Sequence, residues 1–234
     1  MVMEFSTGLS VIMGFFPGLI WLFFFLQEDA RNPEPKGLIF STFVWGGLVT
    51  FLVLPLQIIA KHWLLAGGIL DGNPFHLFAL AALEEILKFM VVFLWISRRR
   101  EFNEPIDAMV YMVIASLGFA TVENIATAVR VSNGMELLTL RFIGANLLHS
   151  LASGIVGYYW ARGIIKCKET QYIALGLALA TVFHTIFNYL MISWGPGVKV
   201  TALLVLLAVF VLKDFEDLKR PEIFEGGGKC PRPF

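Results

Sequence analysis

The chain has 234 residues, 57% of them hydrophobic and 15% charged, and its mean hydropathy is +0.74. Soluble domains run near 25% charged, and a water-exposed domain of this size has no room to hide 22 Phe, so a soluble enzyme is excluded. Eighteen Lys and Arg against eighteen Asp and Glu leave no basic field for nucleic acid, and two cysteines make neither a disulfide framework nor a thiolate metal site.

A bilayer core of roughly 30 Å takes about 20 apolar residues per helix. Seven stretches meet or approach that length: Ser6–Gln27, Leu38–Ala60, Phe75–Ser97, Ile106–Val129, Leu140–Gly163, Gln171–Trp194 and the shorter Val198–Lys213. The first has no basic residue before it and no small-residue cleavage site, and reads as an anchor, not a signal peptide. Loop chemistry separates the stretches: a Pro-Glu-Pro run at Pro33, Asp71-Gly-Asn-Pro74, Arg98 to Glu101 and Gly195-Pro-Gly197. The expected fold is an all-α polytopic membrane bundle of about seven helices. Residues 1–213 form one domain and 214–234 a short, flexible cytoplasmic tail.

Alternate loops and the tail hold thirteen Lys and Arg: Arg31, Lys36, Arg98 to Arg100, Arg162, Lys166, Lys168, Lys213, Lys219, Arg220, Lys229 and Arg232. The other side holds four: Lys61, Arg130, Arg141 and Lys199. The bias places the N-terminus outside and the C-terminus in the cytoplasm. On that orientation Cys167 and Cys230 face the reducing side and are expected as free thiols.

Within the spans stand Glu84, Glu85, Lys88, Glu123, His149 and His184. A charge near the bilayer centre costs on the order of 3 kcal/mol, so these groups are expected to face one another inside the bundle. Glu84 and Lys88, and likewise His184 and Asn188, are four apart and share a helix face; Asn146 and His149 are three apart. At 1.5 Å per residue the glutamates of the third span and both histidines fall roughly 2–3 Å to the outer side of mid-span, with Glu123 roughly 7 Å out. Taken singly, each has a plain structural reading: Glu85–Lys88 as an ion pair holding two helices, a membrane His as a hydrogen-bonded packing residue. Asp107 reads as a cap after Pro105, Arg98 to Arg100 as a topology signal, and Phe23 to Phe25 as lipid-facing filler. Three carboxylates, two imidazoles and an ammonium converging at one depth point to chemistry or ion passage.

The order Glu84-Glu85-Ile-Leu-Lys88, Glu104-Pro-Ile-Asp107, Tyr111, Gly118-Phe-Ala-Thr-Val-Glu123-Asn124, His149 and His184-Thr-Ile-Phe-Asn188 resembles the PrsW family of intramembrane proteases, a branch of the group that includes the CAAX prenyl endopeptidases. The resemblance runs from the Pro-Glu-Pro loop through Asn188. It departs at Ala108 and Met112, where the family often has Gly, which bears on how closely helices approach. It implies a cell-membrane endopeptidase that cuts a membrane-anchored protein within or near the bilayer on the extracytoplasmic side, such as an anti-sigma factor.

For that reaction the residues leave two routes open. In one, Glu84 or Glu85 is the general base, with Glu123 or a histidine assisting and Asn188 or His184 donating to the oxyanion. In the other, Glu123, His149 and His184 hold zinc with one position open for water, Glu84 is the base, and Asn146 or Asn188 supports the ligands. The metal route is the preferred one. Lys88 orients Glu84 or Glu85 in both, and Asn124 belongs to the same motif. Two further classes stay in view: a proton- or ion-coupled transporter, which lacks the paired broken helices expected of one, and a non-catalytic scaffold on the same fold.

Overall fold

The computed structural model describes residues 7–29, 32–130, 140–141 and 143–219. Among them all regular structure is helical: α1 (Thr7–Leu26), α2 (Lys36–Ala66), α3 (Pro74–Trp95), α4 (Pro105–Arg130), α5 (Ala145–Ile165), α6 (Glu169–Trp194) and α7 (Val198–Leu218), with a 3-10 turn at Gln27–Asp29. Each expected span coincides with one helix. Three of them, Lys36–Ala66, Pro105–Val129 and Glu169–Trp194, are long and apolar enough to cross a membrane by length and composition alone. The α3 helix carries Glu84, Glu85 and Lys88 and so reads as less apolar.

Local chemistry sets the helix ends. Pro35 sits in extended backbone before α2, and its carbonyl accepts from the N–H groups of Leu38 and Ile39. Gly68, at φ +82°, follows the far end of α2, the left-handed conformation that stops helices at glycine. Asn73 caps α3 by accepting from Phe75 N, with Pro74 at the first helical position. Asp107 caps α4: its Oδ2 accepts from Asn103 N at 2.7 Å and Glu104 N at 2.8 Å.

The core is α4. Every residue from Ile106 to Ala120 is buried, as expected of a helix apolar on all sides and packed within a bundle. It is wrapped by α1 and α2 on one flank and α5 on another. At the α2 crossing a Cβ on Gly118 would run into the carbonyl of Phe43, and one on Gly46 into that of Ala115. Such small-residue contacts replace hydrophobic driving force where the surroundings are lipid. The departures at Ala108 and Met112 do not loosen this core. Both are fully buried, and Gly157 of α5 supplies the close approach, its missing Cβ leaving room for the Ala108–Met109 backbone.

The exterior is apolar, with Phe16, Phe23, Phe40, Phe51 and Trp63 all exposed, the surface of a membrane protein turned toward lipid. Phe25 departs from the lipid-facing expectation for its run. It is buried against Phe215, ring centroids 6.2 Å apart, because one turn of helix points residues 23 and 25 about 200° apart. That contact also explains why α7 continues past Lys213 to Leu218, since Phe215 and Leu218 are both core residues. Cys167 is disulfide-bonded, correcting the expected free thiol, a pairing that charge bias across loops has no means of revealing. Cys230 and the remainder of the expected tail from residue 220 lie outside the described residues.

Candidate active site

Helices α2 to α6 and the 140–141 segment bring the intramembrane polar residues together. Three come from α3: Glu85 is fully buried, Lys88 is fully buried, and Glu84 is nearly so. The Lys88 ammonium bonds Glu85 Oε1 at 2.9 Å and His149 Nδ1 at 2.8 Å, and lies 4.5 Å from the centre of the Phe119 ring. Glu85 Oε1 also meets His184 Nδ1 at 2.8 Å, and Ser153 Oγ approaches its other oxygen at 3.4 Å. Glu123 of α4 accepts from His149 Nε2 at 3.0 Å. The two imidazoles stand edge to face, 5.1 Å apart.

These contacts fix the proton positions of both rings. An ammonium only donates, so His149 Nδ1 accepts from Lys88, and Nε2–H donates to Glu123. The Glu85 carboxylate only accepts, so His184 Nδ1–H donates to it and Nε2 is left facing Glu84.

Glu84 is held differently. Its Oε1 accepts from Gln57 Nε2 at 2.8 Å. Its Oε2 is buried and has no hydrogen-bond partner among the described residues. Around that atom stand His184 Nε2 at 3.7 Å, Lys88 Nζ at 3.8 Å and His149 Nδ1 at 4.0 Å, all beyond hydrogen-bond range. A carboxylate oxygen thus faces an imidazole nitrogen across a gap of 3.7 Å.

The gap opens on a cavity of about 270 Å³ lined by Glu84, Glu123, His149, His184 and Asn188, with apolar walls from Leu148, Phe187 and Met191. Glu85, Lys88 and Asn124 do not line it. Asn124 is fully buried and donates to Asn146 Oδ1 at 2.8 Å. The site residues read from the sequence therefore fall into a set on the cavity and a set behind it.

The donor chemistry fits a metal ion in part. Glu84, His149 and His184 each offer a ligand atom, all within 4.8 Å of one another, and one carboxylate with two imidazoles suits zinc. Glu84 Oε2 and His184 Nε2 are bare, while His149 Nδ1 becomes a ligand only if Lys88 turns away. The carboxylate in this group is Glu84, where the sequence reading had Glu123; Glu123 is occupied by His149 and by Arg141, whose Nη2 lies 3.0 Å away.

Two residues of the network were not singled out from the sequence. Arg141 was counted among the outer-side basic residues, yet it bonds Glu123 and, through Nε at 2.6 Å, Asn124 Oδ1. A signal existed: three intramembrane carboxylates faced one ammonium, so a second cation was missing, and Arg141 lies inside the fifth expected span. Gln57 is polar within the second span, and the same insertion logic, applied to a neutral amide, points inward more weakly.

Carboxylates and imidazoles on a cavity inside a helical bundle make a group able to activate water or pass ions, and family membership decides between the two. Residues 34–213 match the family described as PrsW family intramembrane metalloprotease, and the chain belongs to that family. Protease PrsW of Geobacillus kaustophilus (strain HTA426) is 32% identical over 187 residues, covering 78% of this chain and 80% of that protein. Protease PrsW of Halalkalibacterium halodurans is 28% identical over 84% of this chain and 91% of its own length. For Protease PrsW of Bacillus subtilis (strain 168) the identity is 25%, over 76% of this chain and 80% of that protein. No solved structure matches the chain. The protein is an intramembrane protease.

Proposed function

We propose that this protease cuts membrane-anchored proteins from the extracytoplasmic side of the cell membrane, with an anti-sigma factor as the kind of substrate the family resemblance suggests. In this reading it is a multi-pass protein with its N-terminus outside and its C-terminus in the cytoplasm. The single observation that carries the chemistry is the bare Oε2 of Glu84, facing His184 Nε2 on the cavity. The orientation rests on the thirteen-to-four basic split, and on that orientation the polar level lies to the outer side.

Glu84 is the general base. Its Oε2 receives the proton of a water that attacks the scissile carbonyl carbon, and returns it to the leaving amine as the C–N bond breaks. Gln57 keeps Glu84 from turning away by occupying Oε1. Glu85 does not meet substrate: it orients His184 and neutralises Lys88. Lys88 sets the lone-pair side of His149, and Asn188 stands on the cavity wall as a donor to the oxyanion. A divalent ion, when bound, would be held by Glu84, His149 and His184, with Glu84 then a ligand in place of the base, and would supply Lewis acidity to the carbonyl and a more acidic water.

The test is cleavage by purified protein in lipid vesicles, using a single-span substrate labelled on its extracytoplasmic segment. Cutting of that segment is expected, with no uptake of protons or cations by vesicles that hold the protein. Ion flux without cutting would move the reading to a transporter. Neither would move it to a scaffold.

A further inference from the structure

A groove runs between α1 and α2 on the apolar exterior. Both helices pack on α4, yet they make almost no contact with each other, and the space between them is a cavity of about 720 Å³. Its walls are apolar side chains such as Leu19 of α1 and Phe40 and Leu48 of α2, all exposed. Its floor is α4 at Gly118, Thr121 and Val122, and the Thr121 hydroxyl is already spent on the carbonyl of Leu117. The groove shares no lining residue with the cavity at Glu84, so a polypeptide seated in it would not meet the bare carboxylate.

Charge and depth say what fits there. One lining residue is charged, Lys36, at the end of the groove where α2 begins. It is exposed and pairs with no carboxylate among the described residues. A helix start favours anions, so the local helix chemistry does not account for a cation at that position. From Lys36 to Phe51 the groove follows α2 for roughly 22 Å, and from Leu26 back to Phe15 it follows α1 for roughly 16 Å, at 1.5 Å per residue. One leaflet supplies roughly 15 Å of the hydrocarbon core. The groove is thus about a leaflet deep, with a cation at its interfacial end and only apolar side chains at its inner end. A transmembrane helix crosses both leaflets and is about 10–12 Å wide. A phospholipid has the matching asymmetry: a charged head at the interface and a chain that ends near the midplane.

We propose that the groove between α1 and α2 is a binding site for an anionic phospholipid, with one acyl chain lying between the helices over α4 and the headgroup phosphate on Lys36. On the orientation proposed above, the lipid comes from the cytoplasmic leaflet, where anionic headgroups attract a juxtamembrane cation. A zwitterionic lipid fits less well, because its own ammonium competes with Lys36 for the phosphate. The bound chain supplies the packing that α1 and α2 do not give each other. None of this depends on the protease reading.

The experiment places the full-length protein in phosphatidylethanolamine vesicles holding a trace of phosphatidylglycerol with a photoreactive group midway along one acyl chain. Adducts are mapped by peptide mass spectrometry. They are expected to concentrate at groove residues such as Leu19 and Leu48, above the level at Ile192 and Val209, which are exposed elsewhere on the bundle. Unlabelled phosphatidylglycerol should compete for the groove, and phosphatidylcholine should not. Lys36→Gln should lower groove adducts about fivefold, the attraction of one basic residue, and Lys36→Arg should keep them. Leu48→Trp, which fills the groove, should remove them. Should Leu48→Trp fail to fold, Lys36→Gln carries the test, since its side chain is exposed and its loss leaves the packing intact. Adducts spread evenly over the apolar surface, equal labelling by a photoreactive phosphatidylethanolamine, or unchanged labelling in Lys36→Gln would each overturn the proposal. Displacement of the lipid by a single-span peptide would also overturn it and assign the groove to a polypeptide.

Discussion

Two buried carboxylate clusters sit on the same central helix, and only one of them is built to react. Near the start of α4, Asp107 is 1% exposed, and its Oδ2 accepts from two backbone N–H groups. The Tyr111 hydroxyl donates to Glu34 Oε2 from the loop before α2. Further along α4, Glu123 joins Glu84, Glu85, Lys88, Arg141 and the two histidines. The first cluster is closed: backbone N–H groups and a phenol meet its acceptors, and it ties a loop to a helix start. In the second, Glu84 Oε2 is the one buried carboxylate oxygen among the described residues that has no hydrogen-bond partner. Burial is common to both. What separates a clasp from a reaction centre is whether the hydrogen-bond account closes.

The comparison predicts where substitutions bite. The largest effect is expected at the bare oxygen. Glu84→Gln keeps shape and removes the base, so cleavage of a membrane-anchored substrate should fall roughly 10²–10⁴-fold, while membrane levels on immunoblots stay near wild type because a charge has been removed from the interior. Normal cutting by a Glu84/Glu85 double alanine variant would end the enzyme reading of this motif. Next comes the metal group. Purified protein should carry about one equivalent of zinc, a strong chelator should abolish cleavage, and His184→Ala should lose the ion. Full activity in metal-free protein with chelator present would leave Glu84 acting as base alone.

Smaller effects sharpen the contrast. Gln57→Leu removes the single hydrogen bond that steadies Glu84 Oε1. A bond to a charged group contributes on the order of 1.5 kcal/mol, so kcat should drop about tenfold with KM little changed. The closed cluster should behave in the opposite way. Asp107→Ala strips a helix cap and should lower stability by about 1–2 kcal/mol, read as a lower melting temperature in detergent, with activity per folded molecule within about twofold of wild type. A loss of turnover in Asp107→Ala as deep as that in Glu84→Gln would erase the distinction between the two clusters.

Much of this arrangement was legible in the sequence, and the parts that were not share a cause. Hydropathy and turn residues marked all seven helices, because a bilayer demands long apolar runs and breaks between them. The cost of charge in lipid marked Glu84, Glu85, Lys88, Glu123, His149 and His184 as inward-facing. That same logic is blind at helix ends, where headgroups and water make a charge cheap: Arg141 read as a topology residue, Asp107 as a simple cap, and Glu34 as loop. Depth was computable from residue counts, but rotation about each helix axis was not. Hence the level of the polar groups came out of the sequence, while the choice of Glu84 over Glu123 as the carboxylate beside both histidines did not. Phe25 and Phe215 show the same gap among apolar residues, since composition marks them as membrane-compatible without saying which faces the core.

The backbone-to-backbone crossing of α2 and α4 has a mechanical meaning. Where the carbonyls of Phe43 and Ala115 press against the bare Cα of Gly118 and Gly46, there is no side-chain cushion to compress, so that crossing is an anvil and not a hinge. The cavity is walled otherwise, by side chains such as Leu140, Phe187 and Met191 that can change rotamer. Give in the bundle is therefore expected where side chain meets side chain, and not at this crossing.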